Sequence, residues 1–363
     1  MKHHEEETKY LGLNVSKGIS RPPSVNPYLQ ANQQQRRKFT VDEYVDKILE
    51  GNITMLSQAV TLIESSRADH QELAQAIIEK CLPHAGNSIR VGITGVPGAG
   101  KSTSIDSFGV HLAKQGKKLA VLAIDPSSER SKGSILGDKT RMERLSVMES
   151  AFIRPSPSAG SLGGVARKTR ESIILCEAAG FDYIFVETVG VGQSEIAVHS
   201  MVDFFLLIQL AGTGDELQGI KRGIMEMADG IVINKADGDN IGKANIAQNH
   251  FKNALHLFPP AESGWTPEVL TYSGYYDLRI PEIWDMVDNY VEFVKKNGYF
   301  DVKRNRQSTY WMYETINERL RNDFYRNEKI EQLMPTLERE VLGSKKSSFI
   351  AAMEAIDAYY GEL

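Results

Sequence analysis

The chain has 363 residues, of which 41% are hydrophobic and 25% are charged, and its formal net charge at pH 7 is −5. At roughly 150 residues per domain this length corresponds to about two and a half domains, and the composition excludes a disordered chain, a collagen and a coiled-coil rod. The acidic balance argues against nucleic acid as a partner, and Cys81 and Cys176 are too few for a disulfide framework. A reducing, cytoplasmic compartment is therefore expected.

Residues 1–38 are polar and contain Pro22, Pro23 and Pro27, which is typical of an extended or disordered arm. The segment from Met1 to Tyr10 is acidic and lacks an apolar core, so it does not resemble a signal peptide. The longest apolar stretch, residues 204–211, is far shorter than the ~18 residues needed to span a bilayer. The sequence therefore predicts neither a membrane segment nor a membrane partner.

Residues 39–87 are predicted to form an N-terminal helical subdomain. Thr40-x-x-Glu43 has the form of a capping box at the start of a first amphipathic helix. Apolar residues at helical spacing indicate two more helices, around residues 56–63 and 73–81.

Residues 88–297 alternate between short β-branched runs and helical stretches. Strands are predicted at Ile89–Thr94, Leu119–Ile124, Phe152–Arg154, Tyr183–Glu187, Phe204–Leu210, Gly230–Asn234 and Val269–Ser273. Helices are predicted around Ser102–Lys114, Val165–Ala179, Leu217–Met227, Ala244–Leu257 and Pro281–Lys296. Apolar strands separated by crossover helices predict an α/β fold, with a mostly parallel sheet covered by helices on both faces. Ligands of such sheets bind beyond the carboxyl ends of the strands.

The last segment, residues 298–363, is predicted to be helical. Its apolar stripes comprise Tyr313, Ile316, Leu320 and Phe324, then Ile330, Leu333, Leu337 and Val341, and finally Phe349, Met353, Ile356 and Tyr360. Pro335 is expected to kink or restart its helix. Two interpretations are open: helices that pack on their own domain, or a helical dimerisation region that makes the protein a homodimer.

A phosphate-binding loop is predicted between the first strand and the first helix of the α/β domain. Its sequence fits G-x-x-x-x-G-K-S, and the glycines allow backbone N–H groups to surround an anion. Lys101 is expected to reach the β- and γ-phosphates of a nucleotide, and the Ser102 hydroxyl is expected to ligate Mg²⁺. The residues assigned to the nucleotide are Gly95, Val96, Pro97, Gly98, Ala99, Gly100, Lys101, Ser102 and Thr103.

Acidic residues that suit a metal follow two other strands. Glu187 ends an apolar strand and precedes Gly190, whose N–H can approach the γ-phosphate, which is typical of a Walker-B position. Asp125 ends another strand and is expected at the same edge of the sheet. The alternatives are a solvated strand end for Glu187 and a turn or N-cap aspartate for Asp125.

A site for the base is predicted where a later strand runs into the sequence N-K-x-D. Guanine has N1–H and N2–H₂ donors that one carboxylate can accept together, so Asp237 is predicted to select GTP and GDP. Asn234 is expected to bond the O6/N7 side, and the Lys235 stem is expected to lie along the ring. Ser273 follows the next strand, where backbone N–H groups can reach the guanine O6.

Four stretches resemble a known family: residues 125–128 (DPSS), 133–142 (GSILGDKTRM), 187–195 (ETVGVGQSE) and 214–221 (GDELQGIK). Over residues 40–363 the chain resembles the MeaB/ArgK (MMAA-type) family of P-loop GTPases, the G-protein chaperones of cobalamin-dependent methylmalonyl-CoA mutase. The resemblance implies a SIMIBI-class G domain between an N-terminal helical bundle and a C-terminal dimerisation arm.

The same resemblance implies roles for individual residues. Asp125, Asp138 and Glu187 match acids that lie around Mg²⁺ and the γ-phosphate, so the implied catalytic set is Lys101, Asp125, Asp138, Glu187 and Gly190. Segment 125–142 matches switch I, 187–195 matches switch II, and 214–221 matches a third mobile loop that passes the nucleotide state to the mutase. The implied coupling residues are Gln193, Asp215, Glu216, Gln218 and Lys221. The implied activity is GTP hydrolysis that the mutase accelerates and that gates adenosylcobalamin delivery and removal of damaged cofactor.

Two departures from the family pattern concern loops. Lys132 stands where the family usually has a second glycine before Gly133, and residues 273–280 differ from the usual base loop. For the attacking water, Gln193 is the candidate, and Arg130 and Arg141 are candidates for transition-state charge. A GTPase with so few evident catalytic groups is expected to need a partner.

Two other functions share parts of this pattern. A nickel-insertion GTPase would carry His-rich or Cys/His motifs, whereas His3-His4 and Cys81-x-x-His84 are isolated here. A nucleotide-dependent kinase linked to amino-acid transport would need an amino-acid pocket and a catalytic acid that the sequence does not indicate, and Asp237 favours GTP over ATP.

Overall fold

The computed structural model describes residues 39–125, 141–157, 162–188, 193–211 and 222–361. The chain divides into two units, residues 1–40 and residues 41–363, and all the elements named below belong to the second. The predicted arm at residues 1–38 lies outside the described residues.

A seven-stranded sheet forms the centre of the second unit. Its strands are β1 (Ile89–Gly95), β2 (Leu119–Asp125), β3 (Ala151–Pro157), β4 (Tyr183–Thr188), β5 (Phe204–Leu210), β6 (Gly230–Asn234) and β7 (Glu268–Thr271). They lie in the order β3-β2-β4-β1-β5-β6-β7, and every neighbouring pair is parallel. The prediction of a parallel α/β sheet is confirmed. Strand β7 ends before the predicted Ser273, because Ser273 pairs with Leu278 in an antiparallel bridge and the chain turns there.

Helices cover both faces of the sheet. They are α4 (Lys101–Lys114), α5 (Leu162–Ala178), α6 (Gln193–His199), α7 (Arg222–Met227), α8 (Ile241–Leu255) and α9 (Ile280–Lys296). Val232 of β6 faces the core beneath α4 and α9, where Phe108 meets Trp284 edge to face with ring centroids 5.9 Å apart. Ile231 and Ile233 point to the opposite face and pack with Phe251 of α8. Because successive strand residues alternate between faces, an apolar β6 can bury both sides.

Three helices precede the sheet: α1 (Val41–Leu49), α2 (Ile53–Glu64) and α3 (Ala68–Cys81). Asn52 caps α2 by accepting a hydrogen bond from the Met55 N–H at 3.0 Å, which satisfies a backbone donor at the helix start. Both α2 and α3 pack against α5. Polar contacts also join them, since Arg154 of β3 pairs with the Glu64 carboxylate and Lys168 of α5 donates to the Glu64 carbonyl at 2.9 Å.

The chain after the sheet forms α10 (Tyr299–Tyr325), α11 (Glu328–Leu342) and α12 (Ser348–Tyr360). The expectation that Pro335 restarts a helix is wrong, because α11 runs through it. Ile330 and Leu337, one on each side of the proline, are both buried, and their packing offsets the backbone hydrogen bond that proline cannot donate. None of the helices in the described ranges is long and apolar enough to cross a membrane.

Helix α10 is anchored at the carboxyl end of α6. The Gln307 side chain donates to the Val202 carbonyl at 2.8 Å, and the Trp311 indole N–H donates to the Ser200 carbonyl at 3.0 Å. Arg304 donates to the buried Asp203 carboxylate, with 2.7 Å between Nη2 and Oδ2. The first half of the long helix α10 is thus fixed to the segment that joins α6 to β5.

The apolar stripes of the C-terminal helices lie mostly at the surface. Helix α12 buries its small residues Ala351, Ala355 and Ala358. The predicted stripe of the same helix, formed by Phe349, Met353, Ile356 and Tyr360, is exposed, as are Tyr313, Ile316 and Leu320 of α10. Alanines allow close approach to α11, and the larger apolar side chains are left on the outer face.

Candidate nucleotide site

The phosphate loop lies between β1 and α4, and its glycines are required by its geometry. Gly95 has φ +153° and Gly100 has φ +87°, values that residues with a Cβ rarely adopt. A Cβ at Gly95 would stand 2.2 Å from the Ile208 carbonyl oxygen, and one at Gly100 would stand 2.7 Å from Asn234 Nδ2. The loop can therefore take this form only with glycine at both positions.

Lys101 begins α4 directly after the loop. Its Nζ donates to the carbonyl of Gly95 at 2.8 Å and to that of Val96 at 3.3 Å, which holds the ammonium over the loop. Burial lowers the pKa of Lys101, and the nearby carboxylates of Glu187 and Glu195 act in the opposite direction. A phosphate group bound in the loop would therefore meet a positive charge in a partly desolvated place.

Ser102 and Glu187 come together as the sequence predicts. Glu187 lies in β4 opposite Ile93 of β1, and its carboxylate accepts a hydrogen bond from the Ser102 hydroxyl at 3.2 Å. A hydroxyl and a carboxylate are the hard oxygen donors that Mg²⁺ prefers, so these two residues fit the metal. Among the described side chains, no cluster of three or more His, Cys, Asp or Glu could hold a metal ion.

The remaining predicted metal and γ-phosphate residues are not all described. The backbone of β2 pairs Ile124 with Thr188, so Asp125, the next residue, ends its strand at the same edge of the sheet as Glu187. The Asp125 side chain, Asp138 and Gly190 lie outside the described residues, and so do Arg130 and Lys132. Arg141 is described and is exposed.

Asn234 joins the phosphate loop to the loop that follows β7. Its Nδ2 donates to the Ala99 carbonyl at 2.7 Å, and its Oδ1 accepts from the Gly274 N–H at 3.0 Å and from the Lys235 N–H at 2.7 Å. The side chain is almost fully buried. These contacts align the phosphate loop with the loop after β7, and the bond from this amide to the O6/N7 side of guanine stays a prediction.

Asp237 and Ser273 are neighbours, although 36 positions separate them in the chain. The Ser273 hydroxyl donates to Asp237 Oδ2 at 2.6 Å and also accepts from the Tyr276 N–H at 3.3 Å. Ser273 thus orients the carboxylate predicted to bind guanine. Lys235 is exposed and has φ +60°, a left-handed conformation that turns the chain sharply between Asn234 and Asp237.

Tyr272 and Ser104 are site residues that the sequence reasoning missed. The Tyr272 hydroxyl and Ser104 Oγ lie 2.6 Å apart, and both side chains are fully buried. The contact ties the end of β7 to the first turns of α4, and thereby the base region to the phosphate region. No motif marks this pair, since a tyrosine at a strand end and a second serine in a helix are ordinary in sequence.

The predicted coupling residues are only partly visible. Gln193 begins α6, but its side chain is outside the described set, as are Asp215, Glu216, Gln218 and Lys221. Glu195, two positions after Gln193, is almost completely buried and accepts a hydrogen bond from the Ser194 hydroxyl at 3.2 Å. Helix α6 therefore places a carboxylate close enough to Lys101 to act on its charge.

Comparison with known proteins identifies a family for this chain. The family model described as "Methylmalonyl Co-A mutase-associated GTPase MeaB" matches residues 56–329. The chain belongs to this family. The prediction of the family from the sequence motifs is confirmed, and as a MeaB-family protein the chain is a P-loop GTPase.

Relatives of this MeaB-family chain are found in bacteria and animals. It is 46% identical over 293 residues to "GTPase ArgK" of Escherichia coli K12, covering 81% of this chain and 88% of the relative. It is 40% identical over 367 residues to "Methylmalonic aciduria type A homolog, mitochondrial" of Mus musculus, covering 98% and 88%. A crystal structure described as a LAO/AO transport system kinase has a TM-score of 0.72 and 36% identity, with coverage of 89% of this chain and 99% of that one.

Proposed function

We propose that this MeaB-family GTPase is the chaperone of a cobalamin-dependent acyl-CoA mutase, with methylmalonyl-CoA mutase as the client. Its GTP cycle gates the delivery of adenosylcobalamin and protects or reactivates the mutase. The observation that carries the proposal is the match to a mutase-associated GTPase family over residues 56–329, which include both halves of the nucleotide site. The name of the mouse relative, which refers to methylmalonic aciduria, supports the same client.

In the proposed nucleotide complex the phosphates occupy the loop from Gly95 to Gly100, where backbone N–H groups and Lys101 bind them. Asp237 accepts the two donors of guanine while Ser273 holds the carboxylate in place. Ser102 and Glu187 would hold Mg²⁺, together with Asp125 and Asp138 as the family resemblance implies. The metal, when bound, neutralises charge on the β- and γ-phosphates.

Phosphoryl transfer to water depends on positioning of the water and on charge neutralisation. Hydrolysis by the isolated chain is expected to be slow, because the sequence indicates few groups that could do this. Lys101 supplies charge, and the carboxylates of Glu187 and Glu195 act on it. Gln193 is our candidate for orienting the attacking water. We expect the client mutase to complete the arrangement by ordering the switch segments, with Asp215, Glu216, Gln218 and Lys221 carrying the signal.

A homodimer formed by the C-terminal helices is part of the proposal. A groove of about 520 Å³ lies between the end of α10, α11 and α12, and its lining includes Phe324, Leu337, Val341, Ala351 and Ile356. Exposed apolar side chains on α12 extend this surface. Apolar patches of this kind are usually covered by another protein chain, and a second copy supplies the same surface by symmetry.

A cytoplasmic, reducing location also belongs to the proposal. Cys81 and Cys176 are both buried and unpaired with each other, so the fold uses them as apolar core residues. Relatives from Mus musculus and Caenorhabditis elegans have the word "mitochondrial" in their names, and cell fractionation tests the cytoplasmic location proposed for this chain.

The decisive test is a GTPase assay with and without the cobalamin-dependent mutase from the same cell. We expect the mutase to stimulate GTP turnover and to co-purify with the chain, and we expect Lys101→Ala to abolish tight GTP binding or turnover. Full activity of Lys101→Ala would contradict the phosphate-loop assignment. An absence of both stimulation and co-purification would contradict the chaperone role.

The same assay distinguishes a GTPase from a kinase, the activity named in the description of the similar crystal structure. A GTPase transfers the γ-phosphoryl group to water, so γ-³²P-GTP should yield inorganic phosphate only. Label in an amino acid or a protein would instead favour a kinase.

A further inference from the structure

Arg144 lies between α4 and the segment that follows β7. It immediately precedes a short 3₁₀ turn, Leu145–Val147, and its guanidinium contacts two carboxylates. Nε donates to Asp106 Oδ2 at 2.6 Å, while the two terminal nitrogens donate to Asp277 at 2.6 and 3.1 Å. The Leu145 N–H donates to the other Asp106 oxygen at 2.8 Å, so the backbone is fixed as well as the side chain.

The two carboxylates belong to two elements that each carry predicted site residues. Asp106 is on α4, the helix that begins with Lys101 and Ser102. Asp277 is in the segment 273–278, here called the base loop, whose ends are joined by two hydrogen bonds between the backbones of Ser273 and Leu278 at 3.2 and 3.0 Å. Arg144 therefore fastens the base loop to the helix that carries the phosphate-binding residues.

The base loop needs such a fastening. Asp277 has φ +53°, a conformation that non-glycine residues seldom adopt and that persists only where the surroundings enforce it. The bidentate contact with Arg144 and a hydrogen bond from the Ser107 hydroxyl at 2.5 Å hold the Asp277 side chain. These contacts hold the pKa of Asp277 below its usual range, the Arg144 hydrogen bond being the largest cause.

The root of the base loop is the part that touches the base site. Ser273 donates to Asp237, and Gly274 donates its N–H to Asn234 Oδ1. If the loop moved away from α4, Asp237 would lose the hydrogen bond that the Ser273 hydroxyl donates to it. Asn234 would also lose one of the contacts that align it. The orientation of the base-binding carboxylate therefore depends on whether the loop stays docked.

We propose that Arg144 is a positioning residue of the guanine site, which clamps the base loop to the phosphate-loop helix and so sets how long a guanine nucleotide stays bound. This inference rests on the proposed assignment of Asp237 and Ser273 to the base. Because Arg144 contacts Asp106 and Asp277 and is not among the predicted phosphate-binding residues, we expect its effect on nucleotide release. Arg144 and Asp277 are each 44% exposed, so salt weakens their attraction.

The test is the rate of release of a fluorescent GDP analogue, chased with excess GDP in stopped flow. Arg144→Gln and Asp277→Asn each remove one charge, and asparagine tolerates the left-handed backbone of position 277. We expect each variant to release the analogue about five- to tenfold faster, which corresponds to the loss of a strong bidentate contact that is partly exposed. Arg144→Lys should restore part of the lifetime of the nucleotide complex, because lysine keeps the positive charge but lacks the paired N–H donors of the guanidinium.

Three further measurements test whether a faster release is caused by loss of the contact between Arg144 and Asp277. The double variant should release nucleotide about as fast as Arg144→Gln alone, because that single variant already lacks the ion pair with Asp277. Raising the salt concentration should speed release from the wild type more than from Arg144→Gln. Arg319→Gln is the matched control, since it breaks an exposed arginine–aspartate pair at 2.9 Å on α10, away from the site, and should leave the release rate unchanged.

Release rates within twofold of the wild type for both Arg144→Gln and Asp277→Asn would overturn the inference. If Arg144→Gln fails to fold in thermal denaturation, Asp277→Asn and the salt dependence of the wild type decide the matter. Asp237→Asn separates this failure from failure of the guanine assignment, since it should shift preference from GTP toward xanthosine triphosphate. Unchanged GTP affinity in Asp237→Asn would contradict the base site itself, whatever the clamp variants do.

Discussion

The side-chain amide of Asn234 donates a hydrogen bond to the Ala99 carbonyl at 2.7 Å, and its oxygen accepts one from the Gly274 N–H at 3.0 Å. One buried side chain at the end of β6 thereby aligns the phosphate loop and the base loop. The two halves of the nucleotide site are coupled through this residue as well as through Tyr272 and Ser104.

Replacing Asn234 with alanine should weaken GDP binding about 10- to 100-fold. The variant leaves the Ala99 carbonyl and the Gly274 N–H without their partner, and each buried unsatisfied group costs roughly 1–3 kcal/mol. Titration calorimetry with GDP measures the loss. Asn240→Ala is the control, because Asn240 is another asparagine of this region, and its side chain bonds the Lys235 carbonyl at 2.7 Å at the surface. Equal losses in the two variants would contradict the aligning role of Asn234.

Gly100→Ala should abolish nucleotide binding, whereas Gly116→Ala should only lower stability. Both glycines have positive φ, +87° and +77°, so alanine is strained at either position by about 1–2 kcal/mol. Only at Gly100 does the new Cβ meet a neighbour, Asn234 Nδ2 at 2.7 Å, while nothing lies within 4 Å at Gly116. Nucleotide affinity and thermal unfolding of the two variants separate steric damage to the site from backbone strain.

The pH dependence of unfolding should carry a contribution from His199. Burial, followed by the charge of Lys303, lowers the pKa of His199 to about 4 from an ordinary value of 6.5. Between these two values the unfolded chain binds a proton that the folded chain does not, so stability falls as pH falls from 6.5 toward 4. The contribution is at most about 1.4 kcal/mol per pH unit.

Urea unfolding of His199→Gln across this range measures that contribution as the difference from the wild type. We expect the variant to lose less stability on acidification than the wild type. His256→Gln, at an exposed position, is the control and should follow the wild type. Parallel curves for wild type and His199→Gln would show that His199 titrates normally.

The proposed dimer should be broken by a charge on the outer face of α12. Phe349 is 70% exposed and sits at the start of that helix, so Phe349→Glu should leave the helix folded and produce monomers. Leu257→Glu is the control, since Leu257 is 79% exposed but lies outside the C-terminal helices. Light scattering after gel filtration gives the masses, and a monomeric wild type at micromolar concentration would contradict the dimer.

Much of the fold was predictable because its signals are local. The strands of the α/β domain are apolar runs whose carboxyl ends bear Glu187, Asn234 and other polar residues, and each has the chain direction that a crossover helix imposes. The P-loop was equally clear, since Gly95 and Gly100 are positions where the backbone needs φ values that favour glycine. These features depend on residues that are neighbours in the chain, so hydrophobic periodicity and turn residues are enough to predict them.

Other features were not predictable, because they depend on side chains distant in sequence. The sequence pattern of α12 does not show which face is buried, since Phe349 and Met353 fit a core as well as Ala351 and Ala355 do. In the structure the alanines are buried, because they allow close packing of the helices. The continuation of α11 through Pro335 was likewise decided by the burial of Ile330 and Leu337.

The sequence by itself determined the chemistry of this protein: a phosphate loop, strand-end acids, an Asp237 suited to guanine, and motifs sufficient to identify the family. Only the tertiary structure decided how those parts are held together, through Asn234 on Ala99, Tyr272 on Ser104, and Arg144 between Asp106 and Asp277. The physical reason is that a motif specifies which groups meet the ligand. Hydrogen bonds between distant residues, such as Ser104 and Tyr272 at 168 positions apart, depend on the packing of the whole sheet and its helices.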